Sequence, residues 1–228
     1  MNSILLQPSN KLYLKDPQST DLGKKIILHS VELISQLGFE TFTFKKLSQK
    51  IESTEASVYR YFENKHRLLV YLIAWYWEWL DYKIRFETHF IKDPAHKLDR
   101  ILKIITEQKC PDDTFPEVNE AALNQIVISE SDKTFLTKHV DADNKEGIFK
   151  GYESLCREIA ELIEIINPDY LYASALISTA LEAAHQQIFF AEHLPTLTEV
   201  SQYDDPYQAN YHFLKTMIFN TIEKQHEQ

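Results

Sequence analysis

Glycine and proline are scarce in this 228-residue chain. It has four glycines, none of them between Gly38 and Gly147, and no proline lies between Pro17 and Pro94. These two residues are the main breakers of helices and makers of turns, so long stretches without them favour long helices. No segment alternates polar and apolar residues in the period of two that is typical of strands. The sequence therefore predicts an all-α protein.

Cysteine and long apolar runs are also nearly absent. Cys110 and Cys156 are far apart and form no C-x-x-C pair, which argues against a disulfide framework or a zinc site and for reduced thiols. No run of about 18 apolar residues occurs, so no membrane span is expected. The apolar residues 4–6 are too few for a signal peptide and are soon followed by Pro8. We expect a soluble, cytoplasmic protein.

The net charge of −10 is unevenly distributed along the chain. Residues 1–70 contain ten Lys and Arg against seven Asp and Glu, whereas residues 71–228 contain fourteen against twenty-seven. A basic amino-terminal part on an acidic body fits a DNA-binding domain attached to a sensor or dimerisation domain. The alternative is a solvated acidic surface with a chance excess of lysine at one end.

Capping residues and apolar spacing predict nine or ten helices. After an amino-terminal arm at 1–18, helices are expected from about 19 to Gly38, from Thr43, from Thr54, and from Asn64 to about Phe90. A helix from Pro94 and a loop at 110–116 follow. Further helices are expected at 117–129, 145–166, 168–193 and 206–223, and the structure of 131–144 is left open.

The segment Phe44–Lys65 is the most informative part of the chain, because it has the pattern of two short helices joined by a tight turn. Its second helix carries small, hydroxyl and aromatic side chains opposite its apolar residues Val58 and Phe62. Short side chains allow a helix to approach base edges in the major groove of DNA. The alternative is an ordinary helix pair in an all-helical domain, since this geometry also occurs in proteins that do not bind DNA.

The residues that follow resemble the signature of the tetracycline-repressor (TetR) family. That signature is filled without a gap by Val58, Tyr59, Tyr61, Phe62, Lys65 and Leu68, with Leu47-Ser48 and Gly38-Phe39 upstream. The resemblance covers roughly residues 24–69. It implies a three-helix DNA-binding domain at 19–67 and a larger helical domain for effector binding and dimerisation at 68–228.

The resemblance also implies which residues meet DNA. Thr43, Ser57, Tyr59, Tyr61 and Lys65 match positions that contact the phosphate backbone, and Lys45, Glu55 and Ala56 match positions that often meet bases. Polar or basic character adds Lys46, Thr54 and Arg60 to the predicted contacts.

Three residues depart from the family pattern. Glu52 stands where glycine is usual in the turn, and Ser53 replaces a usual valine. A non-glycine residue in a left-handed conformation costs about 1 kcal/mol, so we expect some strain in this turn. Glu55 places an acid on the reading surface, where it repels phosphates but can accept a hydrogen bond from cytosine.

An aromatic stripe on the fourth helix is either ordinary core or the wall of an effector pocket. Trp75, Trp79, Tyr82 and Phe86 recur at helical spacing, and small-molecule sites are mostly apolar cavities with a few polar groups. The resemblance favours a pocket for a small apolar or amphipathic effector, with these four residues as its predicted wall.

Two carboxy-terminal helices are expected to form a homodimer interface, because they have apolar surface on more than one side. The polar segment 185–187 could be a core cluster, a subunit contact or a set of ligand-binding groups, and the resemblance favours the subunit contact. The predicted interface residues are Leu176, Leu181, Ala184, His185, Ile188, Phe213 and Met217.

Catalytic and metal-binding motifs are weak. No nucleophile elbow, glycine-rich phosphate loop or H-E-x-x-H pair is present, and three Glu-x-x-His pairs occur, of which Glu182/His185 lies on a predicted core helix. We therefore expect no enzyme, metal or cofactor. The predicted function is a TetR-like regulator, acting as a repressor, that a small molecule releases from a palindromic DNA operator. The alternatives are an all-helical metal protein or enzyme using these pairs, or a degenerate family member without DNA binding.

Overall fold

The computed structural model describes residues 6, 8–110 and 118–223. In these ranges the chain forms eleven α-helices and four short 3-10 turns, and it contains no strand. The predicted all-α class is confirmed. The helix count exceeds the predicted nine or ten because the segment that the sequence left open, 131–144, contains two short helices, α7 and α8.

The helices follow the predicted order closely. They are α1 (Asp21–Leu37), α2 (Phe44–Lys50), α3 (Glu55–Tyr59), α4 (Lys65–Thr88), α5 (Pro94–Thr106), α6 (Glu120–Glu130), α7 (Asp132–Phe135), α8 (Val140–Lys145), α9 (Lys150–Ile166), α10 (Ala173–His193) and α11 (Pro206–Ile222). Most of the predicted loop at 110–116 lies outside the described residues, as does residue 117, where the next helix was expected to begin.

A threonine caps each of the first three helices: the sequence predicts Thr43 and Thr54 for the second and third, and allows Ser19, Thr20 or Asp21 for the first. Thr20, Thr43 and Thr54 each accept a hydrogen bond from the backbone N–H three positions further on, which satisfies one free donor at the start of each helix. Gly38 ends α1 with a φ of 75°, a conformation that side-chain-bearing residues rarely adopt. Local sequence therefore fixes where these helices begin and end.

By packing, the described residues divide into two compact units. One unit is drawn from residues 1–79 and 109–151, and the other from 80–108 and 152–228. Helices α4 and α9 contribute residues to both. The predicted division into an arm at 1–18, a DNA-binding domain at 19–67 and a second domain at 68–228 concerns function and stays a prediction.

In the first unit, α1 packs against α2 and α6, and the apolar side of α4 is buried. Leu47, Val58, Phe62 and Leu68 are completely buried. At the core, the Tyr76 hydroxyl donates a 2.7 Å hydrogen bond to the side-chain oxygen of Asn124 on α6. Such a pair satisfies polar groups that would otherwise be buried at a cost in stability.

In the second unit, α5, α10 and α11 pack together. The Asn210 side chain donates to the backbone carbonyl of Ala184, which joins α11 to α10 at 2.7 Å. Asp99 on α5 accepts a 2.7 Å hydrogen bond from the Tyr211 hydroxyl and lies 2.8 Å from the Lys215 ammonium. These contacts fix the register of α11 against both neighbours.

The described part of the amino-terminal arm is packed, whereas a loose segment was expected. Its residues form 3-10 turns at Asn10–Leu12 and Pro17–Ser19, and Leu12 is only 1% exposed. Residues 1–5 and 7, which include most of the apolar run considered above, lie outside the described part.

Candidate DNA-binding site

The two short helices α2 and α3 form the predicted helix-turn-helix pair. Phe44 and Leu47 on α2 and Val58 on α3 are buried, so the apolar side of each helix faces the core of the first unit. Between the helices, Glu52 adopts a φ of 53°, and it is the only non-glycine residue in the described ranges with positive φ. The expected left-handed turn at Glu52 is confirmed.

Most of the predicted DNA contacts lie together on the outer side of these helices. Eight of the eleven are exposed: Thr43, Lys45, Lys46, Thr54, Glu55, Ala56, Tyr59 and Arg60. Ser57 is half-buried, and its hydroxyl lies 2.9 Å from that of Thr54 at the start of α3. Nine of the predicted residues are therefore at least partly open to solvent on or beside α2 and α3.

Tyr59 is held in place by an aromatic contact. Its ring meets the edge of the Phe44 ring at a centroid distance of 4.9 Å, while 49% of the residue stays exposed. A tyrosine that packs on one side and is open on the other presents its hydroxyl with little conformational freedom to lose on binding.

Tyr61 and Lys65 are less exposed than most of the predicted contacts and have polar partners within the protein, as the exposed Lys46 also does through a 2.9 Å hydrogen bond to the Thr41 carbonyl. Tyr61 is 3% exposed, and its hydroxyl lies 2.7 Å from the Thr20 hydroxyl. The Lys65 ammonium donates to the backbone carbonyls of Phe39, Glu40 and Phe42 at 3.0, 3.2 and 3.3 Å. In this DNA-free structure both polar groups are engaged within the protein.

The loop before α2 is also held by residues that the sequence did not single out. The Glu130 carboxylate accepts a 3.1 Å hydrogen bond from the Phe39 N–H and lies 2.7 Å from the Lys133 ammonium. Lys133 also pairs with Glu40 at 2.8 Å, and the two carboxylates raise the pKa of the Lys133 ammonium. These contacts join positions 91 and 93 residues apart, for which a single sequence has no local signal.

A second unpredicted contact holds the start of α4. Asn64 caps this helix by accepting a 2.9 Å hydrogen bond from the Arg67 N–H, and the Arg67 side chain donates at 2.8 Å to Asp143 on α8. The Asp143 side chain is only 3% exposed. A charge this deeply buried requires its partner, so the Arg67–Asp143 pair fixes α8 against the start of α4.

The predicted effector residues do not share one environment. Trp75 and Trp79 are 4% and 2% exposed, whereas Tyr82 is half-buried and Phe86 is 72% exposed. The rings of Tyr82 and Phe86 stack on each other at a centroid distance of 6.1 Å. The four residues therefore do not form a single buried face, because Phe86 is largely exposed to solvent.

The predicted dimer residues also separate into two groups. Leu181, Ala184, His185 and Ile188 are buried within one chain, against the neighbours of α10, and they leave no surface for a partner. The surface that remains comes from three residues: Leu176, Phe213 and Met217, of which Phe213 is 43% exposed.

A groove of about 980 Å³ lies in the second unit, between the end of α10, the two 3-10 turns at 195–202 and α11. Phe213 and Met217 line it, together with Leu197, Tyr203 and His212. None of the four aromatic residues predicted for the effector pocket lines this groove. The groove therefore coincides with part of the predicted dimer surface.

Two of the three Glu-x-x-His pairs lie wholly within the described residues, Glu63/His66 and Glu182/His185. On α10, the Glu182 carboxylate accepts a 3.2 Å hydrogen bond from the Tyr152 hydroxyl. Within residues 6–110 and 118–223, position 7 aside, no three His, Cys, Asp or Glu side chains lie close enough to hold a metal ion. In the same ranges, no helix combines the length and apolar character needed to cross a membrane.

Residues 26–72 match the family model described as bacterial regulatory proteins, tetR family. The fold is similar to that of the fatty acid degradation regulator FadR from Bacillus halodurans, with a TM-score of 0.60 and 17% identity over 90% of this chain and 96% of that one. It is also similar to that of the ketosteroid transcriptional regulator KstR2 of Mycobacterium tuberculosis, with a TM-score of 0.55 and 12% identity over 89% and 95% of the two chains. No curated protein matches the sequence.

The family match covers α2, α3 and the turn at Glu52, which are the elements that present the exposed polar surface. The two similar structures extend the likeness in fold over nearly the whole chain. Residues 26–72 are therefore similar to bacterial regulatory proteins of the tetR family, and the helical fold is similar to that of the two solved structures.

Proposed function

We propose that this protein is a TetR-like DNA-binding transcriptional regulator, a homodimeric repressor that binds a palindromic operator through α2 and α3 and leaves it when a small apolar or amphipathic effector binds. Since its operator would lie in the cytoplasm, we place the protein there, and we assign it no catalytic activity. The observation that carries the proposal is the set of exposed hydroxyl, lysine and arginine side chains on and beside α2 and α3, together with the exposed small residue Ala56.

Within this surface we assign two kinds of contact. Lys45, Lys46 and Arg60 neutralise phosphates, and Thr43 and Tyr59 donate hydrogen bonds to the backbone. At the start of α3, Glu55, Ala56 and Ser57 face the bases, where a carboxylate accepts from cytosine and a small side chain allows close approach. Tyr61 and Lys65, whose polar groups are engaged inside the protein, hold the shape of this surface.

The DNA proposal is tested by selecting operators from random duplexes and measuring affinity over a range of salt concentrations. Each neutralised phosphate releases counterions, so Lys45→Ala should flatten the plot of log affinity against log salt by about 0.9 unit. The matched control is Lys92→Ala, an exposed lysine near the start of α5, which should leave the slope unchanged. Wild-type protein that selects no sequence and binds without salt dependence would refute the proposal and favour the degenerate alternative.

The base contact is tested separately with Glu55→Gln. Removal of the charge should strengthen binding to non-specific DNA, and the amide should change the preferred base in each half-site. An unchanged selected operator would show that Glu55 points away from the bases.

The dimer is proposed to form through the outer surfaces of α10 and α11, because Leu176, Phe213 and Met217 leave apolar surface there. A two-fold axis places the same surface on both partners. Phe213→Glu should yield monomers in light scattering, whereas Phe90→Glu, which changes a 90% exposed phenylalanine elsewhere, should not. A monomeric wild type at micromolar concentration would refute this interface.

The effector is proposed to bind beside Trp75 and Trp79. These residues are buried in the same unit as the polar side chains of Asn124 and Glu120, a combination of apolar wall and few polar groups that suits an amphipathic ligand. The names of the two similar structures suggest fatty acyl compounds and ketosteroids as the first compounds to test.

Tryptophan fluorescence provides the test for the effector. A compound that releases DNA must bind the DNA-free form more tightly, and DNA must weaken its binding by the same factor. Such a compound should change the emission of the wild type and change it less in Trp75→Phe. A compound that releases DNA with equal fluorescence changes in both proteins would place the site elsewhere.

A further inference from the structure

The segment from Ser9 to Thr20 precedes the family match at 26–72, yet it is built into the first unit. Leu12 is 1% exposed, and the edge of the Tyr13 ring meets the ring of Tyr71 on α4 at 6.0 Å. The Gln18 side-chain amide donates to the Tyr71 hydroxyl at 3.1 Å. This segment, which we call the N-terminal strap (residues 9–20), therefore has a fixed position.

The strap lies so close to α1 that one position there must be glycine. A Cβ atom at Gly23 would lie 2.1 Å from the carbonyl oxygen of Pro17 and 2.6 Å from its Cα atom. Backbone atoms at these distances cannot move away from an added Cβ atom as the end of a flexible side chain can. The contact between the turn at Pro17–Ser19 and α1 thus depends on the missing side chain.

The strap also runs beside the carboxyl end of α3. The Leu14 N–H donates a 2.8 Å hydrogen bond to the carbonyl of Tyr61, and the hydroxyls of Thr20 and Tyr61 lie 2.7 Å apart. Tyr61 stands two positions after Tyr59, the last residue of α3. The backbone of the strap is therefore joined directly to the end of the helix that faces DNA.

Two exposed cations lie on this strap, Lys11 and Lys15. The Lys15 ammonium is 5.2 Å from the centre of the Tyr61 ring, so it covers the residue that the family signature places at the phosphate backbone. The neighbouring carboxylate of Asp16 accepts a 2.9 Å hydrogen bond from the Gln18 N–H, which turns it to the backbone of its own turn.

The exposed side of α2, α3 and the turn between them carries acidic residues, so additional cations nearby would favour the binding of DNA. Glu52 and Glu55 are exposed there, and the Lys65 ammonium is occupied by three carbonyls of the preceding loop. Binding to DNA at physiological salt depends on several neutralised phosphates. Lysines beside the end of α3 are placed to supply the missing contacts.

We propose that the N-terminal strap is part of the DNA interface, and that Lys15 and Lys11 bind phosphates of duplex DNA flanking the groove that α3 enters. The inference rests on the proposed operator binding by α2 and α3. It adds to that interface a segment outside the family match and assigns to Lys15 the phosphate contact that the signature assigns to Tyr61.

The test compares salt dependence of operator binding in the full-length protein. Lys15→Ala should flatten the log–log slope by about 0.9 unit, and the double variant with Lys11→Ala by about twice that amount. Lys92→Ala is again the control. Both lysines are exposed, so the variants should fold as the wild type does, which circular dichroism can check.

A hydroxyl-radical footprint adds an independent readout. Lys15→Ala should lose protection at one or two backbone positions outside each half-site, while protection inside the half-site remains. If the wild type binds its operator with a steep salt dependence and Lys15→Ala matches it in slope and footprint, this inference falls and the proposed function stands. If the wild type binds no operator, the proposed function is refuted, and this inference is refuted with it.

Discussion

The backbone N–H of Phe39 donates a 3.1 Å hydrogen bond to the buried carboxylate of Glu130, 91 positions away in the sequence. Phe39 belongs to the loop that leads into α2, and Glu130 is the last residue of α6. The side chains of Lys133 and Lys65 reach the same loop from α7 and α4. The position of α2 and α3 therefore depends on contacts from three later helices of the first unit.

Glu130→Ala should destabilise the protein, because it leaves the N–H of Phe39 buried without an acceptor. An unsatisfied buried donor costs about 1–3 kcal/mol, which urea unfolding can measure. Glu130→Gln keeps a carbonyl acceptor and should cost less. Glu146→Ala, at an exposed position on the same unit, is the control. Equal stability of the alanine and glutamine variants would show that the hydrogen bond to Phe39 contributes little.

Glu52→Gly should stabilise the protein by up to about 1 kcal/mol. A side chain at a φ of 53° carries strain of about that size, which glycine removes, although glycine adds freedom to the unfolded chain. Ser53→Gly provides the matched comparison, since Ser53 has no positive φ and glycine there should only destabilise. If both glycine variants lower the unfolding midpoint alike, the turn at Glu52 is not strained.

Lys65→Ala should lower the free energy of unfolding by about 1–3 kcal/mol, since it removes hydrogen bonds from a charged donor to three carbonyls. Affinity for DNA should fall because the loop before α2 loses its support, while the salt slope stays that of the wild type. The comparison is Lys45→Ala, which should flatten the slope. A flatter slope in Lys65→Ala would instead return Lys65 to the phosphate contacts.

The stability of the protein should fall as the pH drops from about 7.5 through 6.5. Burial lowers the pKa of the His66 imidazole; Asp143 opposes this effect, and Arg67 and His139 add to it. An unfolded histidine, with an ordinary pKa of about 6.5, takes up its proton at a higher pH than the folded one. Acid therefore favours the unfolded chain over this interval.

His66→Gln tests this expectation. The variant should show a weaker loss of unfolding free energy over the same pH interval, and His96→Gln, at an exposed histidine on α5, should behave as the wild type does. Parallel pH profiles for wild type and His66→Gln would assign the acid sensitivity to other groups.

Much of the local structure could be predicted from sequence. The caps Thr43 and Thr54, the terminator Gly38 and the left-handed turn at Glu52 follow from the sequence, because each acts through atoms within a few positions of itself. For the first cap the sequence allows three neighbouring residues, of which the structure uses Thr20. The signature around Val58 identified the helix pair that the family model also matches.

Side-chain exposure was harder to predict. Phe86 belongs to the same helical stripe as Trp79, yet one is 72% exposed and the other 2%. Ala184 looked suitable for a subunit contact, but its backbone carbonyl accepts from Asn210 and its side chain is buried. Periodicity shows that a face is apolar and cannot distinguish a neighbour in the same chain from one in another.

The sequence by itself determined the helical class, the starts of several helices and the pair formed by α2 and α3, because helix propensity, capping and turn geometry act over short distances. Tertiary structure decided which polar groups are open to a partner. It turned Lys65 and Tyr61 inward, brought Glu130 to Phe39 and laid the strap with Lys15 beside α3. Those outcomes depend on contacts between distant segments, where packing and the satisfaction of buried hydrogen-bonding groups select one arrangement from many.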